Sequence, residues 1–254
     1  MKFGDNCWVD MQQADKNKIV VMPLGSMEQH GHHSPLLTDT YLVTEIAERV
    51  EEHLSGQIYM LPTLWLGASD HHLDLPGTVS VTNSVYSAII KNIVRSIAKA
   101  GFRRLLFLNG HGGNVTPGTQ AITELTNESD VYNEMWIALS SYWTVAAPAI
   151  SPEDHGMQTK QLTHACEYET SMMLFLHGEI MRMDRVKSSP PLINSPYFHS
   201  EYGGRLNVAK RMATRTPTGA MGEPQYATPQ KGESLLNAIA DEVIACIEDF
   251  ATWS

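Results

Sequence analysis

Four short apolar runs constrain this chain more than any other feature: KIVVMPL at 18–24, QIYMLP at 57–62, RLLFL at 104–108 and MWIALS at 135–140. Each is apolar at consecutive rather than alternate positions, the pattern of a strand covered on both faces. Between the runs the apolar residues recur at helical spacing. At 39–54, Leu42, Val43, Ile46, Ala47, Val50 and Leu54 share one face, and Asp39 stands where an N-cap would stand. At 82–100, Val85, Ile89, Ile93 and Ile97 recur every four residues, and Gly101 follows as a stop. A helix over about 117–128 separates the third and fourth runs. Further helices are expected at 166–177 and at 231–251, the last carrying Leu235, Leu236, Ile239, Val243, Ile244 and Ile247. Residues 144–163 and 187–230 read as irregular. Strands alternating with helices predict an α/β fold, with a mainly parallel sheet covered by helices on both faces. No repeat, low-complexity tract or clean linker interrupts the pattern, so residues 1–254 are expected to form one domain.

In such sheets ligands bind beyond the carboxyl ends of the strands. The loops there are GSMEQHGHHSPLLTD (25–39) after the first strand and NGHGGN (109–114) after the third. In an extended segment Glu28 and His30 point the same way, with Gln29 turned away. Gly31 allows a turn, and Asp39 is near enough to fold back. His32 and His33 also fit exposed loop positions, and Asp39 also fits a plain helix cap. His111 sits among three glycines, which permit close backbone approach, though a tight strand-to-helix connection would need the same glycines. The loop lacks GK[ST] and the G-x-G-x-x-G spacing, which argues against a nucleotide site. A third segment, HACEYETS (164–171), places His164 and Glu169 around a helix start. An acidic first turn that merely favours the helix dipole would look the same.

Eight of the eleven histidines fall in residues 30–33, 71–72, 111 and 155–164. Together with Glu28, Asp39 and Glu169, the imidazoles of His30 and His111 suit a pair of divalent zinc, manganese or iron ions. Two such ions bring four positive charges and the carboxylates three negative ones. One bridging hydroxide brings the cluster to zero, so a buried site need not strand a net charge.

Net charge is −10, from 28 acidic and 18 basic residues. That balance argues against nucleic acid or an anionic membrane as the main partner. The first residues lack the apolar core of a signal peptide, and no apolar run approaches the roughly 20 residues of a membrane span. Cys7, Cys166 and Cys246 are scattered, without CxxC spacing. A reducing cytoplasm is the expected location.

The motifs PLGSMEQHGHHSPLLTD, LPGTVS, FLNGHGGN, SYW and HACEYETSMML, in that order, resemble the creatininase (creatinine amidohydrolase) family, and the helix opening on KGE resembles the family's ending. The resemblance implies a three-layer α/β/α fold, a two-metal hydrolase centre, a small-molecule substrate and a homohexamer. Carried over residue by residue, it makes Glu28 and His111 ligands of one ion, His30 a ligand of the other, and Asp39 the bridge. In creatininase the position of Gly113 supplies a glutamate; in members with the HGGN form the glutamate of the ETS motif, here Glu169, takes its place. His164 matches the catalytic histidine, expected to shuttle a proton to the leaving nitrogen, with carboxylate ligands such as Glu169 sharing the general-base role. Asn109, Gly112 and Gly113 are expected near the developing oxyanion, and His72 and Trp143 near substrate. Creatinine itself is not the expected substrate, because Gly112 replaces an aromatic wall and Lys160, Gln161, Leu162 and Thr163 replace a tryptophan and acids. The resemblance therefore implies hydrolysis of a C–N bond in another small polar cyclic amide or formamide. Two alternatives stay open: an inosose-type hydrolase that cleaves a C–C bond of a cyclic polyol ketone, and a metal-binding protein whose chemistry has lapsed.

Overall fold

The computed structural model describes residues 1–253. Its main sheet has four parallel strands, β1 (Ile19–Leu24), β2 (Ile58–Met60), β3 (Arg104–Asn109) and β4 (Trp136–Ser141), in the order β2-β1-β3-β4. The chain moves from β1 to β2 on one side and returns to β3 on the other, so the connection reverses between β1 and β3. Leu24 is in register with Asn109, and Asn109 with Ser141. The carboxyl ends of β1, β3 and β4 therefore stop at one level, and the loops that follow them meet.

Helices α1 (Thr38–His53), α4 (Glu167–His177) and α5 (Pro229–Ala251) cover one face of the sheet, and α2 (Asn83–Lys99) and α3 (Val115–Glu128) cover the other. Ile19, Val21, Leu106 and Leu108 pack toward the first group, while Val20, Met22, Leu105 and Phe107 pack toward the second. Alternate residues of each strand thus enter opposite cores, which is why the runs are apolar without a break. The result is a three-layer α/β/α architecture. Among the described residues no helix is long and apolar enough to cross a membrane.

Two local expectations differ from the structure. The buried face of α2 is Tyr86, Ile90, Val94 and Ile97, whereas Val85 is exposed. A ladder of every fourth residue drifts by about 40° per step around a helix of 3.6 residues per turn, so it cannot stay on one face. Helix α1 begins at Thr38 with Leu37 at its cap, which places Asp39 inside the first turn rather than at the N-cap. Its carboxylate is then free to point across the strand ends. Residues 187–228 are irregular apart from a two-residue hairpin, Phe198–His199 with Gly203–Gly204, and the single turns Met212–Thr214 and Pro224–Tyr226; the last two residues of the expected stretch already belong to α5.

The KGE segment locks α5 onto α4. Thr228 caps α5 by accepting from the Lys231 N–H. Lys231 Nζ donates to Glu167 Oε1 at 2.6 Å, and Glu167 Oε2 accepts from the N–H groups of Gln158 and Thr159. Gly232 lies directly against the α4 backbone, where an added Cβ would collide with Ser171 O and crowd Met172 N. Because α4 carries Glu169, this contact also sets where that carboxylate sits. Gly232→Ala should lower stability by roughly 1–3 kcal/mol. It would read as a lower urea midpoint, whereas Gly178→Ala, whose Cβ would meet nothing within 4 Å, should leave the midpoint unchanged.

Candidate metal centre

The loop after β1 turns sharply at Gly31, which has a φ of +66°. Its preceding residues run extended, so Glu28 and His30 both reach the space above β1 and β3. His30 Nδ1 lies 3.1 Å from the Glu28 carbonyl oxygen. Donation to that carbonyl places the ring proton on Nδ1 and leaves the Nε2 lone pair facing Asp39 Oδ1 at 3.0 Å and Glu169 Oε2 at 4.0 Å. His111 repeats the arrangement with its nitrogens exchanged. Its Nε2 is 3.1 Å from Ser69 Oγ and 3.3 Å from Ala68 O, while Nδ1 faces Asp39 Oδ2 at 3.0 Å and Glu28 Oε2 at 3.2 Å. Asp39 therefore presents one oxygen to each imidazole, and Ser26 Oγ donates to Oδ2 to hold it so.

Three sets of donor atoms lie close enough to hold an ion: Glu28–Asp39–His111 and His30–Asp39–Glu169, which share Asp39, and Glu28–His30–His164 at the edge, whose His164 is partly exposed. All five side chains of the first two sets are buried. Glu28 Oε2 and His30 Nε2 have no hydrogen-bond partner. Lone pairs of neutral imidazoles turned toward carboxylates repel unless a cation lies between them.

The protonation of the residues says the same. Burial works against charging His30, yet Asp39 and Glu169 raise it to about 9. His111 is likewise raised, against burial, by Glu28 and Asp39. Burial opposes ionisation of Asp39, but His30 and His111 hold it at about 2. Glu169 is the exception: burial, aided by Asp39 and Glu28, pushes its carboxyl up to about 8 despite His30. The cluster holds protons where it lacks cations, and Glu169 is the carboxylate left short of positive charge. The donor set, of imidazole nitrogen and carboxylate oxygen only, fits divalent zinc or manganese.

His164 and His72 stand at the edge of this cluster. His164 Nε2 is 2.8 Å from the Gln29 carbonyl oxygen, while its Nδ1 faces Glu28 Oε1 at 3.6 Å. Burial and the nearby His30 and His72 hold His164 well below its ordinary value, so it is neutral. His72 is 1% exposed, and Gln29 Nε2 lies 2.9 Å from its Nδ1. With Nδ1 accepting, the ring proton is on Nε2, 3.4 Å from Glu28 Oε1. His72 thus orients a cluster carboxylate and also lines the cavity over the cluster, where it was expected near substrate. Gln29 is not turned away into solvent. Its amide Nε2 donates to His72 Nδ1 and Gly219 O, and its backbone carbonyl accepts from His164 Nε2, a role the alternation of an extended strand conceals.

Other expected residues separate. Gly112, Gly113 and Trp143 line a cavity of about 350 Å³ together with Glu28, Asp39 and Glu169. Asn109 does not line it. Its amide donates to His111 O and Ser141 Oγ and accepts from His111 N and Asn114 Nδ2, so no donor is spare for an oxyanion. His33 is buried against Thr170 Oγ1 at 2.9 Å and belongs to the core, whereas His32 is exposed. Glu167 points to Lys231, about half a helical turn from Glu169. Ala165, next to His164, takes a left-handed φ of +52°, and its N–H donates to Glu169 Oε2 at 2.6 Å. Strain of this kind gathers at functional sites. At Gly113 an added Cβ would collide with Ala68 O and the His111 ring, so no glutamate fits there on this backbone. Sequence reasoning passed over Ser26, inside the first motif, and Ser69, Met212, Arg215 and Met221, which sit in no motif.

The chain is similar to known proteins over nearly its whole length. The family described as creatininase, creatinine amidohydrolase, matches residues 5–247. A creatinine amidohydrolase of Pseudomonas putida is 28% identical over 97% of this chain and 95% of its own. A mycofactocin precursor peptide peptidase of Mycobacterium tuberculosis is 30% identical over 92% and 85%. A 3-dehydro-scyllo-inosose hydrolase of Thermotoga maritima is 27% identical over 91% and 77%. Among solved structures, a manganese creatininase superimposes with a TM-score of 0.81 at 25% identity, covering 98% and 97% of the two chains. A zinc–zinc form of a creatininase variant gives 0.80 at 25% identity over the same shares.

Loading with divalent ions must displace the protons on His30, His111 and Glu169. Below about pH 8 metal binding should release at least one proton per chain, and affinity should rise as pH rises toward that value. Calorimetry in buffers of different ionisation enthalpy would show it; binding without proton release would contradict this picture of the cluster.

Proposed function

The chain belongs to the creatininase family of amidohydrolase-type hydrolases, and from that premise we propose that it hydrolyses the C–N bond of a small polar cyclic amide or formamide at a two-metal centre. The observation that carries this is Asp39, whose two oxygens face two separate imidazoles, each turned to offer a lone pair. Glu28 and His111 would hold one ion, His30 and Glu169 the other, with Asp39 shared. When bound, such a pair supplies Lewis acidity and a water that is nucleophilic near neutral pH. The chain's own residues do the rest. The cavity walls hold the amide carbonyl over the carboxylates. Water adds to the carbonyl carbon, the C–N bond breaks, and one proton must reach the departing nitrogen. His164 suits that transfer: it is neutral, its Nε2–H is anchored on Gln29 O, and its Nδ1 lone pair is directed at the cluster. The Glu169 carboxylate shares the proton traffic. Gln29 and His72 keep His164 and Glu28 in place.

Creatinine fits this cavity poorly. Beside His111, a side chain added at Gly112 would meet nothing within 4 Å, so the space where an aromatic wall would stand is open. Leu162 and Thr163 line the cavity without an acid to meet a cationic ring. A second reading, cleavage of a C–C bond in a cyclic polyol ketone, is supported by the similarity to the inosose hydrolase. The peptidase relative instead keeps the C–N bond as the target. The proposal also covers the setting: one hydrolase domain over residues 1–254, cytoplasmic, assembled as a homohexamer. Exposed Trp8, Leu192, Ile193, Tyr197 and Leu206 supply apolar surface for such contacts.

Metal analysis of the purified protein, followed by a screen of lactams, formamides and small amides, tests this. Two divalent ions per chain and release of an amine or formate are expected. His164→Ala should lower kcat by roughly 10²–10⁴-fold with metal content unchanged, and Glu28→Gln should lose metal. Fewer than two ions, or full activity in both variants, would remove the two-metal mechanism; a product formed by C–C cleavage would establish the alternative.

A further inference from the structure

One side of the cavity plays no part in the chemistry above. Met212, Arg215 and Met221, all from the irregular 187–230 stretch, line it beside Trp143, Leu162 and Thr163. Arg215 follows the turn Met212–Thr214, and its N–H donates to Met212 O at 2.8 Å. Its Nε and Nη2 both donate to the carbonyl oxygen of buried Ser200, at 3.3 and 2.8 Å. Nη1 has no acceptor among the described residues, and no carboxylate there comes within ion-pair distance of the guanidinium. Arg211, four residues earlier and more exposed, pairs with Asp74 at 2.8 Å. Burial alone acts on Arg215, with no acid to offset it. A half-buried cation without a counter-ion is costly, and this one lies in a chain of net charge −10.

The wall that carries Arg215 is tied to the reacting groups. Thr216 Oγ1 donates to Ala220 O at 2.7 Å, Met221 N donates to His164 O at 2.9 Å, and Gly219 O accepts from the Gln29 amide at 3.1 Å. The guanidinium is thereby held at a set distance from His164. Two divalent ions and one hydroxide would balance the three carboxylates of the floor, and the charge on Arg215 would then be the cavity's surplus.

We propose that Arg215 is the specificity residue of this site and that the substrate is a small amide carrying a carboxylate, held by the guanidinium edge that Ser200 leaves free. A planar guanidinium matches carboxylate oxygens in geometry and charge. Met212, Met221, Trp143 and Leu162 surround it with apolar surface, where such a pair is stronger than in water. The inference rests on the hydrolase reading for its amide, but the anion requirement stands on Arg215 itself.

The test uses metal-replete protein and matched probes: N-formyl and N-acetyl amino acids against the corresponding neutral amino-acid amides. The acids should show the higher kcat/KM. Arg215→Gln should lower kcat/KM for the acids by roughly 10–100-fold, leave the neutral amides and the metal content unchanged, and so erase the preference; Arg215→Lys should restore part of it. Equal turnover of both sets by the unaltered protein, or an equal loss on both in Arg215→Gln, overturns the inference and leaves the hydrolase reading standing. If neither set is turned over, the hydrolase reading fails on these probes, and calorimetric binding of the N-formyl amino acids decides the anion site. Binding weakened tenfold or more by Arg215→Gln supports it; equal binding, or none to the unaltered protein, overturns it.

Discussion

Three carboxylates and two imidazole lone pairs are driven together in the interior, and the rest of the molecule is arranged around that repulsion. Glu28, Asp39 and Glu169 are each nearly inaccessible to water, and the lone pairs of His30 and His111 point at them rather than away. Such a group of atoms is stable only when positive charge joins it. Protons supply part of that charge at the raised His30, His111 and Glu169, and divalent ions would supply it in the geometry the donors already have. The neighbouring hydrogen bonds have a common purpose. Glu28 O, Ala68 O and Ser69 Oγ engage the far sides of the two imidazoles, so that the free nitrogen can face only one way, and Ser26 Oγ steadies Asp39 Oδ2.

The sheet makes that meeting possible. Parallel strands whose carboxyl ends stop in register bring loops 25–39 and 109–114 side by side, at the point where the chain order reverses. Glu169 arrives from elsewhere, on a helix that packs across the same core. Its position depends on the Gly232 contact and on the Lys231–Glu167 pair, more than sixty residues further along the chain. A buried acid, Glu167, is thereby paired with a lysine on one side of α4, while Glu169, two residues on, faces the cluster on the other with only the Ala165 N–H donating to it.

Much of this was legible in the sequence, for identifiable reasons. The strands were visible because burial on both faces leaves no polar position in them, and the ligands because histidines and acids collect in loops that follow strands. The every-fourth-residue ladder of α2 misled by one position, since it drifts around the helix; Tyr86 and Ile90 took the inner face instead of Val85 and Ile89. Asp39 looked like a cap because a cap and a ligand share a residue type. Gln29 and Asn109 were misplaced because hydrogen bonding between distant segments leaves no periodic trace. Gln29 meets His164 across 135 residues and Gly219 across 190.

Arg215 extends that point from structure to specificity. The floor of the cavity tolerates little change, because each ligand's charge and tautomer depend on the others, and a single altered carboxylate would strand the remainder. The wall from Met212 to Met221 carries no such mutual dependence. It is fixed in place by backbone carbonyls, at Ser200, Ala220 and His164, which any residue supplies. A side chain on that wall can therefore differ between relatives without disturbing the floor, and relatives with the same family pattern can act on a lactam, a peptide or a polyol ketone. Discrimination in a family built this way should reside in the segment with the least regular structure, and in this chain that segment presents a guanidinium that has no acid of its own.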